Sequence, residues 1–260
     1  MRERADKLLV GRALVPSCRE AQALIMAGLV TSGGRPVLKP GELVDDGAEL
    51  RVARPLPFVS RGGLKLEEAL ERFGIDVGGM FALDIGASTG GFVDCLLKRG
   101  AARVYAVDVD TKQLDWGLSR DPRVVAVEKN ARFLAAEDLP GPPDIVTMDV
   151  SFISVLKVLP ALAAIPGAWI LVSLIKPQFE AEPKDVGKKG VVRDTNVHAE
   201  VLARIVGGAR DLGFGLAGLI RCSTRGQKGN VEFFARWVKG EPDLNAGSIS
   251  SMIKEAVSHA

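Results

Sequence analysis

Phe81-Ala-Leu-Asp84-Ile-Gly86-Ala87-Ser88-Thr89-Gly90-Gly91-Phe92 runs from an apolar stretch through a cluster of glycines into a helical pattern. The apolar stretch is short and nearly unbroken, which predicts a strand buried on both faces over 80–85. Glycines let backbone turn sharply and approach a ligand closely, and a helix starting there offers unpaired N–H groups. Working outward, strands are predicted over 103–108, 124–128, 144–149 and 168–175. Helices are predicted over 64–73, 90–99, 112–118, 153–164 and 197–212. Segments 214–223 and 231–238 read as two closing strands with no helix between them, hence a hairpin at one edge. The body, 61–240, is therefore expected to be α/β: a seven-stranded, mostly parallel sheet with an antiparallel edge strand.

Ahead of it, residues 1–53 read as a small α+β unit. Residues 4–14 carry a helical pattern around Leu8 and Leu9. Ser17 and Glu20 form a capping-box signature, Ala21, Leu24 and Ile25 an apolar stripe, and Gly28 a helix stop. Strands are expected at 29–31, 37–39 and 48–53, the first two joined by a turn at Ser32-Gly33-Gly34-Arg35-Pro36. The proline-punctuated 54–60 reads as a linker. After Pro242 the chain is polar; Ile249, Met252, Ile253, Ala256 and Val257 then keep the spacing of an amphipathic helix within 241–260.

Composition narrows the functional classes. Of 260 residues, 47% are hydrophobic and 25% charged, too apolar for a disordered chain. The net charge of +2 balances 34 basic against 32 acidic side chains, so charge is informative only where it clusters. Three scattered cysteines and two histidines, His198 and His259, argue against a zinc site or a disulfide framework, and no metal is expected. The start, MRERADKLL, lacks the apolar centre of a signal peptide. The apolar run 155–175 is broken by Lys157, Pro160, Pro166 and Gly167, so it reads as helix, turn and strand rather than a membrane span. A cytoplasmic protein is expected.

The glycine cluster departs from the dinucleotide fingerprint, because Ser88 stands where the second glycine belongs. Asp84, two residues before Gly86, would repel a pyrophosphate but suits the amino group of S-adenosyl-L-methionine. Asp108, at the next strand end, suits a ribose diol. The D-x-G-x-x-x-G spacing of Asp84, Gly86 and Gly90 is the class I, Rossmann-like methyltransferase pattern. The expected cofactor cradle is Asp84, Gly86, Ala87, Ser88, Thr89, Gly90, Gly91, Phe92, Asp108 and Asp149.

Four further residues stand at telling positions. Lys65 lies near the start of the first body helix, Asp149 and Lys176 close strands, and Glu232 opens the last one. Ligands of open parallel sheets sit beyond the carboxyl ends of the strands, so all four are expected at one edge, facing the glycine cluster.

SRGGLKL, DIGASTGGF, TMDVSFIS, LIKPQFE and GNVEFF together resemble the FtsJ-like RNA 2′-O-ribose methyltransferases. The combination with the head resembles the TlyA family, often labelled hemolysin A. The head resembles the RNA-binding fold of ribosomal protein S-four, through Arg4-Ala-Asp-Lys-Leu-Leu, Ser17-Cys-Arg19-Glu-Ala-Gln-Ala-Leu-Ile, Gly28-Leu-Val and Lys39-Pro-Gly. The resemblance implies a catalytic Lys65–Asp149–Lys176–Glu232 tetrad and an adenine-side contact at Asn130. It also implies RNA-contact arginines at Arg4 and Arg19, and a cytidine ribose of large-subunit, and also small-subunit, ribosomal RNA as target. Where relatives carry tryptophan-valine before SRG, this chain has Pro57-Phe58-Val59.

In that reading Lys176 is the base or hydroxyl-orienting group. Asp149 and Glu232 hold it, and Lys65 positions. A lysine serves so only when a neighbouring ammonium and partial burial loosen its proton. Arg61, Lys188 and Lys189, with Lys184 and Arg193, are expected to meet RNA phosphate. Aromatic residues are few, so stacking on bases is expected to matter little. Three other readings stay open on sequence: a membrane-active protein, as the hemolysin label suggests, an RNA-binding protein without catalysis, and a small-molecule methyltransferase, which leaves the basic head unexplained. The oligomeric state is not legible.

Overall fold

The computed structural model describes residues 2–53, 56–240 and 244–258. Two residues of the expected linker (Arg54, Pro55), the start of the tail (241–243) and His259 lie outside them. The chain divides into two compact units, Met1–Leu56 and Pro57–Ala260.

The first unit orders as β1 (Arg2–Arg4), α1 (Ala5–Gly11), α2 (Cys18–Met26), β2 (Val30–Ser32), β3 (Arg35–Pro36), β4 (Leu43–Asp45) and β5 (Leu50–Val52). The Ser17 hydroxyl accepts the Glu20 amide at 3.2 Å, so the expected cap exists. Gly33 and Gly34 both have positive φ, +54° and +79°, as a two-residue hairpin turn demands. The helix predicted from residue 4 starts one residue later, because Arg2–Arg4 pairs with Leu43–Asp45. The strand predicted at 37–39 is replaced by the two-residue β3. Leu8, Leu9, Ala21, Ile25 and Val30 form the core.

The second unit contains α3 (Arg61–Arg72), β6 (Phe81–Ile85), α4 (Gly91–Lys98), β7 (Arg103–Asp108), β8 (Val124–Glu128), β9 (Ile145–Met148), α5 (Leu159–Ala164), β10 (Ile170–Ile175), α6 (Pro177–Glu180), α7 (Thr195–Asp211), β11 (Phe214–Arg221), β12 (Phe233–Lys239) and α8 (Ala246–Ser258). Its seven strands run in the order β11-β12-β10-β9-β6-β7-β8. β12 is antiparallel to both neighbours, and the β6, β7, β8, β9 and β10 pairings are parallel. The hairpin is at one edge, with its reversed strand one place in from the margin. From β6 the chain goes one way to β7 and β8, then returns on the other side as β9. The ligand crevice of such a sheet opens between β6 and β9.

The central strands are largely apolar because both faces are covered. Leu83, Ile85, Val146 and Met148 join one core, while Ala82 and Ile145 join the other. The final helix also belongs to this unit: Ile253 and Ala256 are buried in the core that holds α7 and β11. The 155–175 run resolves into a short turn, α5 and the buried β10; α5 is shorter than predicted and carries Pro160 in its first turn. The helix predicted at 112–118 is two isolated 3₁₀ turns, Thr111–Gln113 and Leu118–Arg120. Asp110 and Asp115 accept the amides of Lys112 and Gly117, 3.1 and 2.8 Å away, and so divert the backbone from helical pairing. Among the described residues no helix is long and apolar enough to cross a membrane.

Residues 57–60, which read from sequence as linker, are fastened to α4. The Pro57 carbonyl accepts from Lys98 at 2.6 Å and the Val59 amide donates to Asp94 at 2.9 Å. Phe58 is buried over Gly63, where a Cβ would fall 2.3 Å from its ring. The starts of α3 and α4 meet just as closely. A Cβ on Gly91 would lie 2.2 Å from Ser60 Oγ and 3.0 Å from the Gly63 nitrogen. Gly91→Ala is expected to cost about 1–3 kcal/mol through this overpacking. Urea unfolding reads it as a lower midpoint at unchanged slope; an unmoved midpoint would mean that the two helix starts are not held together.

Candidate active site

The turn after β6 folds back on its neighbour strand: the Gly86 and Ala87 amides both donate to the Val107 carbonyl, at 2.9 and 3.1 Å. Gly86, φ +83°, passes so close to β9 that a Cβ would sit 2.6 Å from the Asp149 carbonyl oxygen. Only glycine fits there. Ser88 takes a left-handed conformation, φ +48°, and donates its amide to Asp108 Oδ2 at 2.8 Å. Gly90, φ +92°, then starts α4. One carboxylate and one carbonyl thus pin the backbone of the loop.

This loop forms one wall of a cavity of about 290 Å³. Gly86, Ala87, Ser88, Thr89, Gly91 and Phe92 line it, and so do Lys65, Asp149, Lys176 and Glu232. The four residues picked from distant points of the sequence therefore share one chamber. They are paired differently from expectation. Lys176 Nζ lies 2.5 Å from Asp149 Oδ1 and donates to Ser151 Oγ at 2.9 Å. Glu232 does not hold Lys176; it receives Lys65 at 2.6 Å. The Lys65 and Glu232 side chains are only 11% and 2% exposed, so each charge is kept from water by the other. Gly226 makes room for this pair, since a Cβ there would fall 1.9 Å from Glu232 Oε1.

Other predicted residues stand elsewhere. Asp84 is fully buried behind the loop and does not line the cavity. Its Oδ1 accepts the Thr147 hydroxyl at 2.7 Å, while Oδ2 has no partner. Burial, partly offset by that hydroxyl, pushes its pKa up to about 7. Asn130 is exposed and caps the Arg132 amide at 3.1 Å, outside the cavity lining. Arg61 lines the entrance, and Lys188 and Lys189 are exposed on the 181–194 loop. In the first unit Arg19 is exposed, whereas Arg4 is clamped onto buried Asp6 at 3.0 and 2.7 Å.

Sequence reasoning missed Ser151, Gln178 and Gln227, which also line the cavity, and it missed a pair of phenylalanines. Phe152 is 87% exposed in a left-handed conformation, φ +63°, with its ring 4.9 Å from that of Phe179. The Phe179 ring lies 5.9 Å from Lys176 Nζ. A bulky residue strained and bare beside paired charges points to a ligand contact. The signal available in the sequence was its place, three residues after Asp149.

A sheet with this strand order, a glycine turn at its switch point and paired lysines and carboxylates beyond the strand ends define a class I methyltransferase domain. Residues 58–238 match the FtsJ-like methyltransferase family and residues 3–50 match the S4 domain. The chain belongs to the FtsJ-like methyltransferase family. It is similar to TlyA of Mycobacterium tuberculosis, named a 16S/23S rRNA (cytidine-2′-O)-methyltransferase. The two are 43% identical over 263 residues, 99% of this chain and 98% of the relative. Hemolysin A of Brachyspira hyodysenteriae is 39% identical over 238 residues, 90% of this chain and 99% of the relative. The solved structure of a hemolysin-named protein from Streptococcus thermophilus superposes with a TM-score of 0.75 at 42% identity, over 99% of this chain and 96% of that one.

Gly226→Ala is expected to push the Glu232 carboxylate off Lys65 while leaving the fold intact, because the clash involves the mobile end of one side chain. Methyl transfer should fall at least ~10-fold, and the melting temperature should drop because a buried pair is separated. Full activity in this variant would show that the Lys65–Glu232 pair is not needed.

Proposed function

We propose that this chain is an S-adenosylmethionine-dependent methyltransferase acting on a cytidine ribose 2′-hydroxyl of 23S ribosomal RNA, with 16S ribosomal RNA as a second substrate. The observation that carries the reading is the meeting of two lysine–carboxylate pairs with the glycine turn in one chamber. The names of the curated relatives support the substrate. A ribosomal substrate makes the cytoplasm the place of action.

The chamber suits this cofactor by its chemistry. Asp84 behind the turn and Asp108 beside it place carboxyl groups at the loop itself, while the Asp149 carboxylate is taken up by Lys176; the loop side of the chamber therefore disfavours a pyrophosphate and favours a cation. Gly86, Ala87, Ser88, Thr89 and Gly91 give the close backbone wall, and Asp108 stands beside them through Ser88. When bound, S-adenosylmethionine supplies an electrophilic methyl on its sulfonium.

The chain's own residues prepare the acceptor. Lys176 is oriented by Asp149 and Ser151; having given one Nζ proton to solvent, its neutral amine meets the ribose hydroxyl and accepts the hydroxyl proton as the oxygen takes the methyl group. Asp149 balances the charge that collects on Nζ. Lys65, held by Glu232, shapes the other side of the chamber. The restraint of each ammonium by its carboxylate is an alignment device, and alignment is worth about 7–11 kcal/mol in favourable cases. Phe152 offers a bare aromatic face at the entrance, on which the target base stacks.

RNA is gathered by the basic side chains of the S4 unit and of the body. Arg19 acts as a phosphate contact. Arg4 does so with the part of its guanidinium that Asp6 leaves to solvent.

Lys176→Ala should retain cofactor binding by calorimetric titration yet transfer methyl groups to isolated ribosomal subunits at least ~100-fold more slowly, the scale of a lost general base. Turnover near that of the unaltered protein would refute the mechanism. Nucleotide mapping of labelled product from both subunits identifies the target. Replacing Arg4 and Arg19 together should weaken RNA binding and reduce the slope of log affinity against log salt by about 0.7–0.9 for each phosphate left unneutralised. Cofactor affinity should stay the same, and an unaltered salt slope would remove the S4 unit as a phosphate reader.

A further inference from the structure

Asn230 is not among the cavity-lining residues, yet it touches two loops with different duties. It is only 3% exposed. Its Nδ2 donates to the Gly190 carbonyl at 2.9 Å and to the Gln227 carbonyl at 3.1 Å. Its Oδ1 accepts the Val192 amide at 3.2 Å. One buried amide thus satisfies three backbone groups that burial would otherwise leave costly. A second tie reinforces the first. Val192 is buried, and its carbonyl meets His198 Nε2 at 3.2 Å.

The loop on one side of Asn230 carries exposed Lys188 and Lys189. Its turn closes on itself, with the Gly187 amide on the Val191 carbonyl at 3.1 Å and the Gly190 amide on the Gly187 carbonyl at 2.7 Å. The segment on the other side joins β11 to β12. It carries Gln227 and Glu232 into the chamber, and the Asn230 carbonyl closes its turn by accepting the Gly226 amide at 2.9 Å. Lys228 in that turn is held left-handed, φ +55°, with its ammonium 3.9 Å from where a Cβ on Gly190 would be. Three ammonium groups therefore project from two loops that a single side chain joins.

We propose that Asn230 is a positioning residue that makes these loops one unit, so that RNA phosphate held by Lys188, Lys189 and Lys228 fixes Glu232 against Lys65. The proposal rests on the reading of the chain as a ribosomal RNA methyltransferase. Phosphate binding at the outer loop then does more than add affinity: through Asn230 it sets the geometry of the inner carboxylate. A plain loop staple would not transmit the state of the lysines.

The test uses the full chain, S-adenosylmethionine and isolated ribosomal subunits, with single-turnover rates taken at saturating RNA and RNA affinity measured separately. Asn230→Asp keeps the acceptor for Val192 and turns the donor into an oxygen facing two carbonyls. It should slow transfer at least ~10-fold while cofactor affinity stays within ~3-fold. Lys188→Ala with Lys189→Ala should slow transfer even at saturating RNA. In the Asn230→Asp background the same pair should weaken RNA binding without slowing transfer further. Rate losses that multiply, or an Asn230→Asp rate within twofold of the unaltered protein, would overturn the coupling. Should Asn230→Asp not fold, the lysine pair alone decides: an unchanged single-turnover rate at saturating RNA overturns the proposal. Absence of any transfer by the unaltered protein would instead overturn the function on which it rests.

Discussion

Everything at this site depends on two ammonium–carboxylate contacts held largely away from water. A charged side chain enters such an environment only in company, and removing one partner of a buried pair typically costs about 3–5 kcal/mol. Lys65 with Glu232, and Lys176 with Asp149, satisfy that demand two by two. The pairing makes each ammonium's position as definite as that of the backbone that carries its partner. Asp149 follows β9, Lys176 follows β10, Glu232 precedes β12 and Lys65 sits on α3. Two neighbouring parallel strands end where a reversed strand begins, so three of the four residues converge through sheet topology alone.

Glycine supplies the complementary constraint. Gly86 lets the turn touch Asp149, Gly91 lets two helix starts meet, and Gly226 leaves space for the Glu232 carboxylate. At each of these positions a methyl group would displace a residue of the chamber or its support. The glycines thus belong to the site as much as the charged residues do, although they carry no chemistry.

Much of this is legible in the sequence, and the failures have physical causes. Strand–helix alternation and apolar runs foretell the sheet, since burial on both faces leaves an unmistakable composition. Spacing foretells that the four charged residues share an edge. It does not foretell their partners. Glu232 is expected to serve Lys176, but strand β12 enters beside β10 from a loop that carries Glu232 to Lys65 on α3 instead. Asp84 reads as a cofactor contact because it ends a strand next to a glycine turn. Its side chain is instead taken up behind the turn by Thr147, its register partner on β9. Phe152 escapes notice because an apolar residue in a sequence looks like core; its left-handed backbone and exposure exist only in three dimensions. The 112–118 helix fails because two aspartates claim backbone amides that a helix would need.

The position of Asp84 also bears on how the glycine turn tells cofactors apart. Its carboxyl lies behind the turn, fully buried, with one oxygen unpartnered and its ionisation deferred to about pH 7. Asp108 is bound to the turn at Ser88, and Asp149 touches Gly86 through its carbonyl. Two carboxyl groups therefore back or flank one loop, while that of Asp149 is taken up by Lys176. A phosphate placed there would meet backbone donors but also this acidic surround, and the desolvated charge would go unbalanced. A cation placed there relieves the repulsion and draws the buried carboxyl toward its ionised form. The electrostatic preference of this turn for a cation over a phosphate thus belongs to the whole loop rather than to one contact, and Ser88, in the place of a dinucleotide-pattern glycine, is one part of it.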